Sequence, residues 1–247
     1  MRGRGLFASP ALWVGLMLGA LLLRGDALRP ILRHAFPAVT PLIYDRAPLS
    51  LLLVSQAGLV AVASLAAAAV GLGLAIGVTR ESGRQFRAIV AALTAAGQTF
   101  PPAAVLAITV PIVGFGAAPT AIALFLYGLL PIVENAVAGL EAVPDGVREA
   151  ALGMGLSPAQ LLFRVELPLA APFILAGIRV SVTIAIGTAT IGATVGALTL
   201  GTPIFDGLVA NNLAFVVEGA VLVALFAILV DLLLGALDRR LRRHAGG

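Results

Sequence analysis

Of 247 residues, 60% are hydrophobic and 11% charged, against about 25% charge in a soluble domain, so the chain is an integral membrane protein. Its basic residues are all arginine; a P-loop, which needs a lysine after its glycine-rich turn, cannot be built, and any ATP that drives this chain must be bound elsewhere. The net charge of +4 bears on topology rather than nucleic acid. The absence of cysteine removes disulfides and thiol chemistry, and two distant histidines, His34 and His244, give no support to a metal site.

The chain opens on the basic MRGRG, and Leu6–Leu23 is about long enough to cross a bilayer. A cleaved signal peptide is the alternative, since Gly25-Asp26-Ala27 resembles a small-x-small site. Residues 24–49 hold four prolines and four arginines and form an external loop or surface-lying segment. Helix two covers about Ser50–Val78. Helix three, about Ala88–Val113, carries Pro101-Pro102 in its middle, where the pair must kink or break it. Helix four follows Gly114–Thr120 and runs to about Val133, with Glu134 and Asn135 at its mouth. Helix five, about Pro172–Leu198, is crowded with glycine, serine and threonine; helix six covers about Leu213–Leu237. The expected architecture is all-α, with about six spans.

Between helices four and five lies the most polar insertion, Pro144–Pro168. Asp145 can cap a first helix on which Val147, Ala150, Ala151 and Met154 recur at i, i+3, i+4 and i+7. Gly155 suits the left-handed position that ends it. Ser157, Pro158 and Gln160 fit N-cap, N1 and N3 of a second helix, which Pro168 should stop. An even number of spans puts both termini on one face. That face also carries Arg80, Arg84, Arg87, Arg148 and Arg164, so the positive-inside rule places the termini and the hairpin in the cytoplasm. A helical hairpin there is a candidate docking surface.

Glu149-Ala150-Ala151, then Gly155, then Val165-Glu166-Leu167-Pro168 resemble the EAA motif of binding-protein-dependent ABC importer permeases, with Val165 where isoleucine is usual. The resemblance extends over about residues 50–237 and is nearest the osmoprotectant branch, which handles glycine betaine, choline and carnitine. It implies a type-1 transmembrane domain at 50–237, an N-terminal helix and external loop at 1–49, and a basic cytoplasmic tail at 238–247. It implies that residues about 146–165 are coupling helices seated on a separate ATP-binding subunit, with Glu149, Ala150, Ala151, Gly155, Ser157, Leu167 and Pro168 as coupling residues. The implied partners are that ATPase, a separate extracytoplasmic substrate-binding protein and a second permease subunit. No cofactor, metal or catalytic residue is expected, and the implied location is a bacterial or archaeal inner membrane.

Other residues keep two readings. Pro101-Pro102 either lines the pathway or kinks for packing. Thr188 and Thr190 offer hydroxyls to a pathway or bond back to their own helix. Asp231, read as the sole ionisable residue well inside helix six, belongs to a pathway or buried pair, or reaches the interface. The small-xxx-small pair Gly192/Gly196 reads as helix packing. The rival function is a self-contained secondary transporter or channel, against which stand the docking hairpin and the scarcity of charge within the spans.

Overall fold

The computed structural model describes residues 10–245, in which every regular element is helical. The opening MRGRG, the expected start of the first span at Leu6 and the last two tail residues lie outside the described residues. α1 (Pro10–Leu23) turns through Gly25–Leu28 into α2 (Arg29–Ala35), bent by 103°. α3 (Leu49–Thr79) follows, then α4 (Arg87–Thr99) and α5 (Pro102–Val113), bent by 94° at the proline pair. Then come α6 (Ala117–Glu141), α7 (Asp145–Gly153), α8 (Pro158–Leu161), α9 (Leu167–Ile191), α10 (Thr202–Val209) and α11 (Leu213–Ala245). Four runs are long and apolar enough to cross a bilayer, namely Leu49–Thr79, Ala117–Glu141, Pro158–Val195 and Leu213–Arg239. The two bent pairs raise the number to as many as six. This is an all-helical membrane protein.

Three boundaries depart from expectation. α6 does not stop at Val133 but runs to Glu141, so Glu134 and Asn135 are helical residues. A change from apolar to polar composition ends a hydrophobic stretch without breaking backbone hydrogen bonds. The expected break at Pro168 is absent: α8, a widened turn at Leu162–Glu166 and α9 form one continuous run. In that turn Leu167 N–H donates five residues back, to the carbonyl of Leu162. Widening makes room for a ring that would otherwise strike the preceding turn. The loop before helix six contains α10.

The described chain divides into two compact units. One consists of residues 10–62, Pro102–Leu124 and Ala185–Leu233; the other of Ala63–Pro101, Phe125–Ile184 and residues 234–245.

In the first unit, the loop before α3 is held down by residues of α10 and α11. Tyr44 N–H donates to Glu218 Oε2 at 2.8 Å and its hydroxyl to Asp206 Oδ2 at 2.9 Å. Asn212 donates to the carbonyl of Pro41 at 2.8 Å and accepts from Phe215 N–H at 3.2 Å, closing the first turn of α11. The Tyr44 ring meets Phe215 edge-on, with centroids 5.3 Å apart. Fully buried Gln56 of α3 donates to the carbonyl of Ile186 on α9 and accepts from Leu200 N–H.

In the second unit, α3, α6 and α9 pack along one seam. Ala67, Leu129 and Ile132 form one cluster, with Ile178 against it; Ala75, Val78, Val133, Ala136 and Val137 form another, joined by Val90 of α4. Gly177 permits a close approach: a Cβ there would lie 2.6 Å from the carbonyl oxygen of Pro131. Pro131 sits inside α6 and has no N–H to give, which frees the carbonyl of Tyr127. The side chain of Gln98 donates to that carbonyl at 2.7 Å.

Candidate functional site

The hairpin is built from two short helices whose facing ends are individually stabilised. α7 begins at Asp145, with Pro144 in extended conformation at the N-cap. Asp145 therefore does not cap it as expected. It lies one residue inside, where its charge still favours the helix dipole, and its carboxylate takes Arg148 Nη1 at 2.9 Å. At the other end Gly155 is left-handed, with φ of 84°. Its N–H donates to Leu152 and that of Leu156 to Ala151, the paired bonds of a Schellman turn. α8 opens with a complete capping box: Gln160 N–H to Ser157 Oγ at 3.3 Å, and Ser157 N–H to Gln160 Oε1 at 2.9 Å.

Most of the hairpin faces outward. Of the expected coupling residues, Glu149, Ala150, Gly155, Ser157 and Pro168 are exposed, Leu167 is half-buried and Ala151 is buried. Of the four apolar residues spaced along α7, Met154 is 75% exposed and Val147 39%. Phe163 in the widened turn is 67% exposed. Ala151 on the same face of α7 is buried, so that face is covered at its middle and open at its two ends.

Beneath the hairpin lies an ionic junction that the sequence pattern did not isolate. The Glu166 side chain is 3% exposed. Its Oε2 accepts from Arg80 Nη2 at 2.6 Å and its Oε1 from Arg148 Nε at 3.0 Å. Arg80 follows α3, whereas Arg148 belongs to α7 and also donates through Nη2 to the carbonyl of Leu140 at 2.6 Å, near the end of α6. Buried carboxylates require such partners. The only available sequence signal was an acidic residue beside Leu-Pro in an apolar run, with its arginine 86 residues away. A cavity of about 500 Å³ opens beside it, lined by Arg80, Glu81, Arg84, Arg148 and Glu166 among others. Nearby, Arg87 of α4 pairs with Glu141 at the end of α6.

The pathway candidates lie on separate elements. At the proline pair, the Tyr127 hydroxyl donates to the carbonyl of Phe100, so the break is re-satisfied within the protein. Pro101 is exposed and Pro102 half-buried. Thr188 is buried, whereas Thr190 uses its hydroxyl on its own helix, donating to the carbonyl of Gly187 at 2.6 Å. Asp231 is half-buried in α11, but it is not the sole ionisable residue inside that helix. Glu218 is also there, 1% exposed and bonded to Tyr44 N–H. It lies inside the helix expected at about Leu213–Leu237, about one turn and a half from its start. Gly192 packs against Thr120, whereas Gly196 takes a left-handed turn with φ of 83°.

Asn135 donates to the carbonyl of Pro131 on its own helix, and Glu134 lines a cavity of about 270 Å³ with Val78, Arg87, Val90 and Glu141. Outside the spans, burial first and the Asp206 carboxylate second push the Tyr44 hydroxyl up to about 12. Among the described residues, no group of three His, Asp or Glu is placed to hold a metal ion.

Residues 69–243 match the family described as binding-protein-dependent transport system inner membrane component. The osmoprotectant import permease protein OsmY of Salmonella typhimurium is 42% identical over 175 residues, which cover 71% of this chain and 74% of that protein. The glycine betaine/carnitine/choline transport system permease protein OpuCD of Bacillus subtilis is 41% identical over 178 residues, covering 72% and 77%. An inward-facing structure of the MetNI methionine ABC transporter superposes with a TM-score of 0.70 at 22% identity, over 80% of this chain and 99% of that one. At that identity the likeness speaks for the fold.

Proposed function

We propose a function for this chain on one premise: it belongs to the family of binding-protein-dependent transport system inner membrane components. It is a multi-pass permease subunit of the inner membrane. Residues 50–237 act as its transmembrane domain, with both termini and the hairpin in the cytoplasm. ATP is bound and hydrolysed by a separate subunit that seats the hairpin through Glu149, Ala150, Ala151, Gly155 and Ser157, with Leu167 and Pro168 joining it to the membrane helix. A second permease subunit completes the pathway, and a separate extracytoplasmic protein delivers the solute.

One observation carries this reading. The turn between its two helices is closed by a left-handed glycine and a capping box, yet its apolar residues Val147, Met154 and Phe163 stand exposed. Exposed apolar surface on a well-formed element marks an interaction site. A stiff element can transmit a displacement that a flexible loop would absorb.

The solute is of the osmoprotectant class, as the relatives' names support. Glycine betaine, carnitine and choline share a trimethylammonium group, which aromatic faces hold well. This chain has one Trp and two Tyr, and Trp13 is exposed. Tight recognition therefore belongs to the delivering protein, and the permease offers a weakly binding passage.

Reconstitution tests the whole reading. Proteoliposomes holding this chain with its ATPase and binding protein should take up glycine betaine or choline only when ATP is supplied. Uptake by the chain alone, driven by an ion gradient, would establish the secondary-transporter reading instead.

A further inference from the structure

The junction under the hairpin joins elements that the backbone alone leaves loosely connected. α7 spans nine residues, of which only Ala151 is buried, so apolar packing does little to fix it to the membrane helices. Its firm attachment is Arg148, which grips Glu166, the carbonyl of Leu140 and Asp145 together. Glu166, in the widened turn that leads into α9, is gripped from its other oxygen by Arg80 at the end of α3. The ends of α3 and α6, the start of α9 and the outward-facing α7 thus converge on one buried carboxylate.

We propose that Glu166 is the positioning residue of the coupling element, and that the Arg80–Glu166–Arg148 junction carries a displacement of α7 into α3 and α9. The proposal rests on the reading of the hairpin as the ATPase contact and adds the route by which its motion enters the membrane. A carboxylate bridging two guanidiniums suits this task. Its charge-assisted bonds are short and directional and the carboxylate itself is buried, so a push on α7 reaches both neighbours before the contact slips. Without it, α7 can tilt on the ends of its own loops, and the nucleotide cycle continues while the membrane helices lag.

The test is the ATP consumed per solute taken up, in proteoliposomes with the ATPase and binding protein present. Loss of folded protein lowers hydrolysis and uptake together and leaves this ratio unchanged. Glu166→Gln should raise it at least about fivefold, the lower end of ordinary coupling energies. Arg148→Gln, which leaves the Arg80–Glu166 pair intact, should do the same and serves if the first variant inserts poorly. A native ratio in the variants that insert would overturn the proposal.

A second measurement needs no partner. The chain has no cysteine, so spin labels on Ser82→Cys and Gly146→Cys report the distance from the end of α3 to α7. Glu166→Gln should broaden that distribution, and an unchanged narrow one would also overturn the proposal. Glu149→Lys separates the two readings: if it transports normally, the ATPase contact is elsewhere. If it fails to transport while Glu166→Gln keeps a native ratio, the contact stands and the junction falls.

Discussion

At the scale of single residues, Gly155 and Tyr44 are held in unusual states for opposite reasons. Gly155 has open space around its α-carbon, with nothing within 4 Å of where a Cβ would be. Its constraint is therefore the left-handed backbone at φ of 84°. Gly155→Ala should cost about 1–2 kcal/mol, measured as a lower unfolding midpoint of the detergent-solubilised protein, and Gly155→Asn less, because asparagine tolerates that region. Tyr44 is constrained by burial and by Asp206. Because its hydroxyl is raised from 10.0 to about 12, the folded chain favours the neutral phenol. That contribution is complete below pH 10 and is lost as the pH rises through about 12. Protease cleavage of the 36–48 loop should increase over that range in the native chain, whereas Tyr44→Phe should be cleaved more readily already at neutral pH.

At the scale of elements, proline decides where helices bend and side chains decide whether the bend is tolerated. Pro131 leaves the Tyr127 carbonyl free and Gln98 takes it up. Gln98→Ala should destabilise by about 1–3 kcal/mol, the cost of an unpaired buried carbonyl. Pro131→Ala restores an N–H at that position, so the double variant should lose less than Gln98→Ala alone; thermal unfolding of the four proteins closes the cycle. The break at Pro101-Pro102 was legible in the sequence because proline acts on its own backbone. The supporting bonds from Gln98 and Tyr127 were not, since their residues meet only once α4 and α6 are packed. Pro168 shows the converse. The expected stop fails because the preceding turn widens, an adjustment that a local rule does not anticipate. Ser157→Ala, which removes the capping box, should cost about 1 kcal/mol, visible as faster amide exchange confined to α8.

For the whole molecule, the reading as an ATP-driven permease predicts where transport can be lost without loss of the protein. Glu149→Lys reverses charge on the exposed face of α7, and Gly155→Asp puts a charged side chain at its turn. Both should insert in normal amounts and abolish uptake in the complete transporter, measured as ATP-dependent accumulation of labelled glycine betaine. The hairpin was legible because its signals are local: a left-handed glycine at 155 and the capping box of the second helix, although the first helix is capped by Pro144 and not by Asp145. The junction beneath it was not. Glu166 stood within the motif as an unassigned residue, while Arg80 and Arg148 entered only as charges that orient the chain.

By itself, the amino-acid sequence determined that this protein lives in a membrane, is helical, cannot bind ATP through a P-loop and presents a stiff polar hairpin. Those properties depend on hydropathy and on backbone rules that act within a few residues. Only the tertiary structure decided that Glu166 is buried between two arginines, that Glu218 holds down the loop before α3, and that Gln98 supports a helix remote from its own. Each of these joins groups distant in sequence, and burial of a charge or a free carbonyl is tolerable only where packing brings a partner within hydrogen-bonding reach.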